Sequence, residues 1–180
     1  LVYGEDIILP EFLEKLDTNI FIEKFPLTLK ELKLQINQQI SLDNLPNIRK
    51  LYLQSMCIQQ LDFLPNTLEE FTFETYYSKQ ELNNLPNSLK KICLTCVNRV
   101  IIPESVYEVE IRGTDKVIIP LGVKKMNLYN VMEIIFLDDE YDFEEVDIEC
   151  DKQTKIVNLP ENLIIAKTNN DFYQKITLIE

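Results

Sequence analysis

Residues 85–94 read LPNSLKKICL, and the same frame returns along the whole chain. It appears as FPLTLKELKL at 25–34, LPNTLEEFTF at 64–73, IPESVYEVEI at 102–111 and IPLGVKKMNL at 119–128. LPNIRKLYL at 45–53 fits with one residue dropped after Pro46, and DEYDFEEVDI at 139–148 fits with Glu140 in place of the proline. LPEFLEKLDT at 9–18 and LPENLIIAKT at 159–168 are looser end copies. The last apolar position falls at Leu34, Leu53, Phe73, Leu94, Ile111, Leu128 and Ile148, and weakly at Thr168. The steps from each to the next are therefore 19, 20, 21, 17, 17, 20 and 20. Each unit must present the same face to the next, so such a period constrains the fold more than any composition can.

Within each copy the pattern x-L-x-L has period two and predicts a short strand. Stacked copies would place these strands side by side in a parallel sheet, and each apolar face would be completed by its neighbours. Proline lacks an N–H and holds the preceding residue extended, so it belongs in the connection entering each strand. The Leu or Ile before it is expected on the outer wall of the core. About ten residues remain per copy, too few for a long helix. The expected fold is a leucine-rich-repeat-like solenoid, mainly β. It has a single curved parallel sheet on the concave side and short extended or turn segments on the convex side. The whole of 1–180 reads as one domain of about eight copies of 17–21 residues, with 1–25 and 159–180 as atypical end copies.

The outward side of the strands can be read as columns. The residue before each apolar pair is Lys15, Glu31, Lys50, Glu70, Lys91, Glu108, Lys125 and Glu145, so the sign alternates without a break. Stacking would set opposite charges across every junction and would resist a slip by one copy. The middle column runs Asp17, Lys33, Tyr52, Thr72, Cys93, Glu110, Asn127, Asp147. The third runs Asn19, Gln35, Gln54, Glu74, Thr95, Arg112, Tyr129, Glu149. Two outward tyrosines and an excess of carboxylates mark these columns as a candidate interaction surface.

Composition narrows the chemistry. Histidine is absent, which excludes Ser-His-Asp and Cys-His catalysis. Three glycines leave no phosphate loop or dinucleotide fingerprint. The carboxylates of LDDEYDFEEVDIE at 137–149 lack the glycine and loop spacing of a calcium site and read as a solvated acidic connection. Cys93 and Cys96 form C-x-x-C, but no second ligand pair exists for zinc, and Cys93 falls in a predicted strand rather than at a helix start. No catalytic set, metal or cofactor is expected. The net charge of −12 repels phosphate backbones and anionic membranes and favours a basic partner. No apolar run is long enough to span a bilayer and no secretion signal is visible at the start, so an intracellular, cytoplasmic protein is expected.

LPNSLKKICL, LPNTLEEFTF and FPLTLKELKL resemble FNIP repeats, a variant of the leucine-rich repeat, over roughly residues 9–168. Bacterial effector repeats share an LPxxLxxLxL core, but the Asn they place after the strand is met here only by Asn37. The FNIP resemblance implies binding rather than chemistry: a concave sheet presented to a protein partner. The expected function is a non-enzymatic interaction module, a monomer, that takes a basic or mixed-charge protein surface through Tyr52, Gln54, Glu74, Glu110, Arg112, Tyr129 and Glu149. The alternatives are an assembly subunit that stacks through its end strands, with FYQKITLIE as an open edge, and an enzyme using acidic side chains.

Overall fold

The computed structural model describes residues 7–20, 22, 24–37, 42, 45–56, 61, 63–76, 80–166 and 172–179; Cys57 and Thr168 lie outside them. The described residues form fifteen strands and no helix. In chain order these are β1 (Lys15–Thr18), β2 (Glu31–Ile36), β3 (Lys50–Ser55), β4 (Glu70–Thr75), β5 (Glu81–Leu82), β6 (Lys91–Thr95), β7 (Arg99–Ile101) and β8 (Glu108–Arg112). There follow β9 (Lys116–Ile119), β10 (Lys125–Tyr129), β11 (Glu133–Phe136), β12 (Glu145–Asp151), β13 (Lys155–Val157), β14 (Leu163–Ala166) and β15 (Tyr173–Leu178). A ten-stranded sheet takes the order β1-β2-β3-β4-β6-β8-β10-β12-β15-β14, and a five-stranded sheet the order β5-β7-β9-β11-β13. The chain therefore winds as a mainly β solenoid whose successive turns pair in parallel.

The period-two frame sets the core. Leu34, Leu53, Phe73, Leu94, Ile111, Leu128 and Ile148 are mutual register partners and are all buried. Leu32, Leu51, Phe71, Ile92, Val109, Met126 and Val146 form a second buried column in the same register. The residue before the proline closes the outer wall, with Leu64, Leu85, Ile102 and Ile119 buried.

The proline heads a tight turn. The N–H three residues on donates to its carbonyl at Leu29, Leu68, Leu89, Val106, Val123 and Leu163, at 3.0–3.3 Å. In the copy with one residue fewer, Ile48 donates instead to Pro46 from only two residues away. The Ser or Thr of the LPN[ST]L motif joins copies. Thr28 Oγ1 donates to the carbonyl of Leu13 at 3.0 Å, Thr67 to Ile48 at 2.9 Å and Ser88 to Leu68 at 2.7 Å. Each carbonyl belongs to the same position of the preceding copy. In the copy without proline, Tyr141 takes over this work. Its buried hydroxyl donates to the carbonyl of Ile119 at 2.6 Å and accepts from the N–H of Leu137 at 2.9 Å, and its ring stacks on Phe143 at 4.7 Å.

Two features differ from the expected single sheet with short connections. The convex segments are extended as expected, but from β5 onward they pair with one another into the second parallel sheet. The corner that makes this possible is one residue in the left-handed region: Cys96, Gly113 and Asn130, spaced by 17. Their N–H groups donate to the carbonyls of Arg112, Tyr129 and Glu149 in the next copy. The second difference is at the end. LPENLIIAKT keeps its proline turn but does not stack on β12. Instead β15 lies between, antiparallel to both β12 and β14. FYQKITLIE is thus an interior strand, and the edge of the sheet is β14.

Candidate functional site

The charged column stands as one register row: Lys15, Glu31, Lys50, Glu70, Lys91, Glu108, Lys125, Glu145. Ion pairs close at alternate junctions: Lys15–Glu31 at 2.9 Å, Lys50–Glu70 at 2.8 Å and Lys91–Glu108 at 2.6 Å. A single ammonium seats tightly on one neighbour, so the row condenses into pairs rather than bridging every junction as the alternation predicts. Lys125 leans to Glu144 at 4.0 Å. A second charged column, which the repeat frame does not single out, precedes it. There Lys30 pairs with Glu14, Lys90 with Glu69 at 3.4 Å and Lys124 with Glu144 at 3.8 Å. All these pairs are solvent-accessible, so they fix register more than they add stability.

Beyond the charged row, the two outward columns gather into two clusters built alike. In the first, Tyr52 on β3 donates its hydroxyl to Glu74 Oε2 at 2.7 Å, while Lys33 Nζ lies 5.4 Å from its ring centre and pairs with Asp17 at 3.0 Å. Burial, then the bond to Glu74, pushes the Tyr52 phenol up to about 12, so it remains a donor. In the second, Tyr129 on β10 donates to Asp147 at 3.4 Å, and the Arg112 guanidinium lies 4.9 Å from its ring centre. Arg112 is held by Glu110 at 2.8 and 3.1 Å, and Asp147 also takes Lys175 at 2.9 Å. Burial raises the Tyr129 phenol too, with Asp147 as the next cause. Each cluster places a cation on a tyrosine ring from the preceding strand and a carboxylate on its hydroxyl from the following one.

The structure thus brings Tyr52 together with Glu74, and Glu110 and Arg112 together with Tyr129. Gln54 stands in register beside Glu74, and Glu149 stands exposed between Tyr129 and Lys175. The clusters are four strands apart, roughly 19 Å at ordinary strand spacing. Lys33 and Asp147 belong to the middle column, but nothing in the sequence marks them out from it. Lys175 comes from the antiparallel β15, and nothing in the repeat points to it.

A shallow depression of about 360 Å3 runs across β4 to β12 and takes in Glu110 of the second cluster; it is bordered by Glu70, Thr72, Lys91, Cys93, Glu108, Glu110, Lys125, Asn127 and Glu145. Another, of about 410 Å3, runs from Lys15 to Tyr52. Carboxylates meet at the first, but Glu70, Glu108 and Glu110 are each held by a cation at 2.6–2.8 Å. Three of its carboxylates are thus engaged in ion pairs rather than aimed together across a cleft as a glycosidase pair would be. Burial, followed by Glu110 and Glu74, pushes the Cys93 thiol up to about 11, which keeps it protonated and a poor nucleophile. Among the described residues no cluster of Cys, Asp and Glu is arranged to hold a metal.

No protein-family model matches this chain, and no curated protein matches its sequence. Among solved structures, its fold is similar to that of CroV588, described as a novel circular leucine-rich-repeat protein structure. The likeness has a TM-score of 0.60 at 22% identity and covers 86% of this chain. The fold is a leucine-rich-repeat-like solenoid. The matched part is 28% of the CroV588 chain, so this chain spans well under half the length of that neighbour.

Proposed function

We propose that this chain is a non-catalytic protein-interaction module of FNIP type that binds a basic or mixed-charge protein surface on the outward face of its ten-stranded sheet. One observation carries the reading: two matched cation–tyrosine–carboxylate clusters stand roughly 19 Å apart on one face, which also holds a shallow charged depression. Tyrosines held by hydrogen bonds offer large contact area at little entropic cost, and the surrounding carboxylates steer a basic partner toward them. Cation-bound carboxylates and a protonated thiol support a binding role over a catalytic one. The free state of Cys93, Cys96 and Cys150 supports action in a reducing, intracellular compartment.

The test is affinity capture from host lysate, followed by the Tyr52→Ala, Glu110→Ala, Tyr129→Ala triple variant. Retained partners should bind the triple variant at least tenfold more weakly, with loss of the tyrosines felt mainly in faster dissociation. A partner whose affinity is unchanged by the three substitutions would move the site off this face.

A further inference from the structure

The two edges of the ten-stranded sheet are unlike. At one edge, β1 carries Lys15 and Asp17, each held in an ion pair to β2, at 2.9 and 3.0 Å. Charged edge strands of this kind resist pairing with another chain. At the other edge, β14 reads LIIA, and it is the one strand of the fifteen without a charged residue. Ile164 and Ile165 are each about half exposed, on opposite faces of the strand. Among the described residues no strand pairs with the outer side of β14. It has no proline, no bulge and no inward charge to blunt it.

We infer that β14 is a self-association edge, and that two copies of this chain pair antiparallel through it about a two-fold axis. The occupant follows from charge. A two-fold contact sets a strand against itself, so any charge near the axis meets its like, as it would on every other strand of this molecule. β14 alone meets that condition. A two-fold axis normal to the sheet keeps each face on its own side, so only registers pairing residues of the same face are allowed. The registers centred on the strand are those that set Ile164 on Ile164 or Ile165 on Ile165, and both bury isoleucine against isoleucine. The pairing would join the two outward faces into one continuous sheet. This differs from the monomer expected from sequence, and from the assembly alternative in which FYQKITLIE is the open edge, since FYQKITLIE is interior and β14 is the edge. The inference does not depend on what the outward face binds.

The test is sedimentation velocity and light scattering on the full chain over a range of concentrations, beside an Ile164→Lys, Ile165→Lys variant and a Met132→Lys control. Met132 is exposed at a distance from this edge in sequence and sheet. The expected result is a dimer mass for the chain and the control, falling twofold to a monomer in the double variant, with circular dichroism unchanged. The single Ile164→Lys variant, at a half-exposed site, repeats the test should the double variant fold poorly, and should weaken dimerisation at least tenfold. A monomer at every concentration would overturn the inference. So would open-ended higher species, which mean head-to-tail contact, or a dimer that survives both lysines.

Discussion

The first turns of this solenoid and the later ones solve the same problem with different chain lengths. Leu94, Ile111 and Leu128 bound the two shortest copies in the chain, each a step of 17. Each is a strand of the ten-stranded sheet, a left-handed corner, a strand of the second sheet and a proline turn. The strand after the corner starts at the same offset from Cys96, Gly113 and Asn130, at Arg99, Lys116 and Glu133. The copies from Leu34 to Phe73 are longer, with steps of 19 and 20, and their described residues form no second strand. Seventeen residues are thus enough for a tight turn with both walls hydrogen-bonded, and the copies of 20 and 21 residues that carry β5, β11 and β13 form the same second wall. Among the described residues, the earlier copies are joined by the hydroxyl staples of Thr28, Thr67 and Ser88.

The largest loss of stability is expected at the later turns. Phe136 on β11 is fully buried and meets Tyr141 and Phe143 edge-on at 5.6 and 6.3 Å. It joins the second sheet to the copy that lacks a proline. Phe136→Ala should cost about 3–5 kcal/mol in chemical denaturation, and Leu94→Ala in the shared core about 2–5 kcal/mol. Lys91→Ala, on the outward side of the same strand as Leu94, should cost under about 1 kcal/mol. A Phe136→Ala loss below that of Lys91→Ala would mean that the second wall contributes nothing to the fold.

The next test is the close approach of two tight turns. Gly122 follows Pro120 at the position where other copies carry Thr or Ser. A methyl added there would lie 2.2 Å from the Glu104 carbonyl oxygen of the preceding copy. Backbone cannot yield as a flexible side chain can, so Gly122→Ala should cost about 1–3 kcal/mol. Gly113→Ala strains a corner at φ +64° and should cost about 1–2 kcal/mol. Equal stability of Gly122→Ala and the parent in urea would show that the later turns are packed no more tightly than the early ones.

Much of this was legible in the sequence because it depends on period. The inward and outward columns, the charged row in its register and the strand beginning at each of Lys50, Glu70 and Lys91 all follow from counting. The second sheet was not legible. Its strands are as short as the pair Glu81–Leu82, and the left-handed corner is filled by Cys, Gly and Asn, which share no side-chain signature. Nor was the end reversal, since LPENL repeats the motif faithfully and only the strand after it departs. The site was half legible. The columns named Tyr52 and Tyr129, but their cation and carboxylate partners depend on side-chain reach across strands, and Lys175 arrives from outside the repeat.

The early turns offer a smaller and more local test. Ser88→Ala removes a hydroxyl that donates to the Leu68 carbonyl at 2.7 Å and should cost about 0.5–1.5 kcal/mol. Thr67→Ala should cost the same, by the same contact to Ile48. Both should also speed amide exchange in β3 and β4 more than in β10 and β12, because the staple acts only between neighbouring copies. A uniform change in exchange along the chain would mean that the copies unfold as one unit and that the staples have no local role.

The gentlest difference lies in how the two sheets arrange charge. Along the ten-stranded sheet each paired carboxylate of the row takes one lysine. On the five-stranded sheet Glu133 takes two, Lys116 at 2.8 Å and Lys155 at 2.6 Å, from the strands on either side. These two bonds hold its carboxyl down at about 2, against an ordinary value of 4.5. A carboxyl lowered by folding stabilises the folded state fully above its ordinary value and loses that stabilisation as pH falls through its folded value. Thermal unfolding of the parent and of Glu133→Gln should therefore differ at pH 6, keep that difference to about pH 4.5, and converge toward about pH 2. Every other carboxylate titrates in both proteins, so the gap between the curves reports Glu133 alone. The group is solvent-accessible and the gap should shrink in high salt. Curves that run parallel down to pH 2 would show that the lysines of β9 and β13 do not hold it, and that the second sheet is joined by its backbone and its apolar face alone.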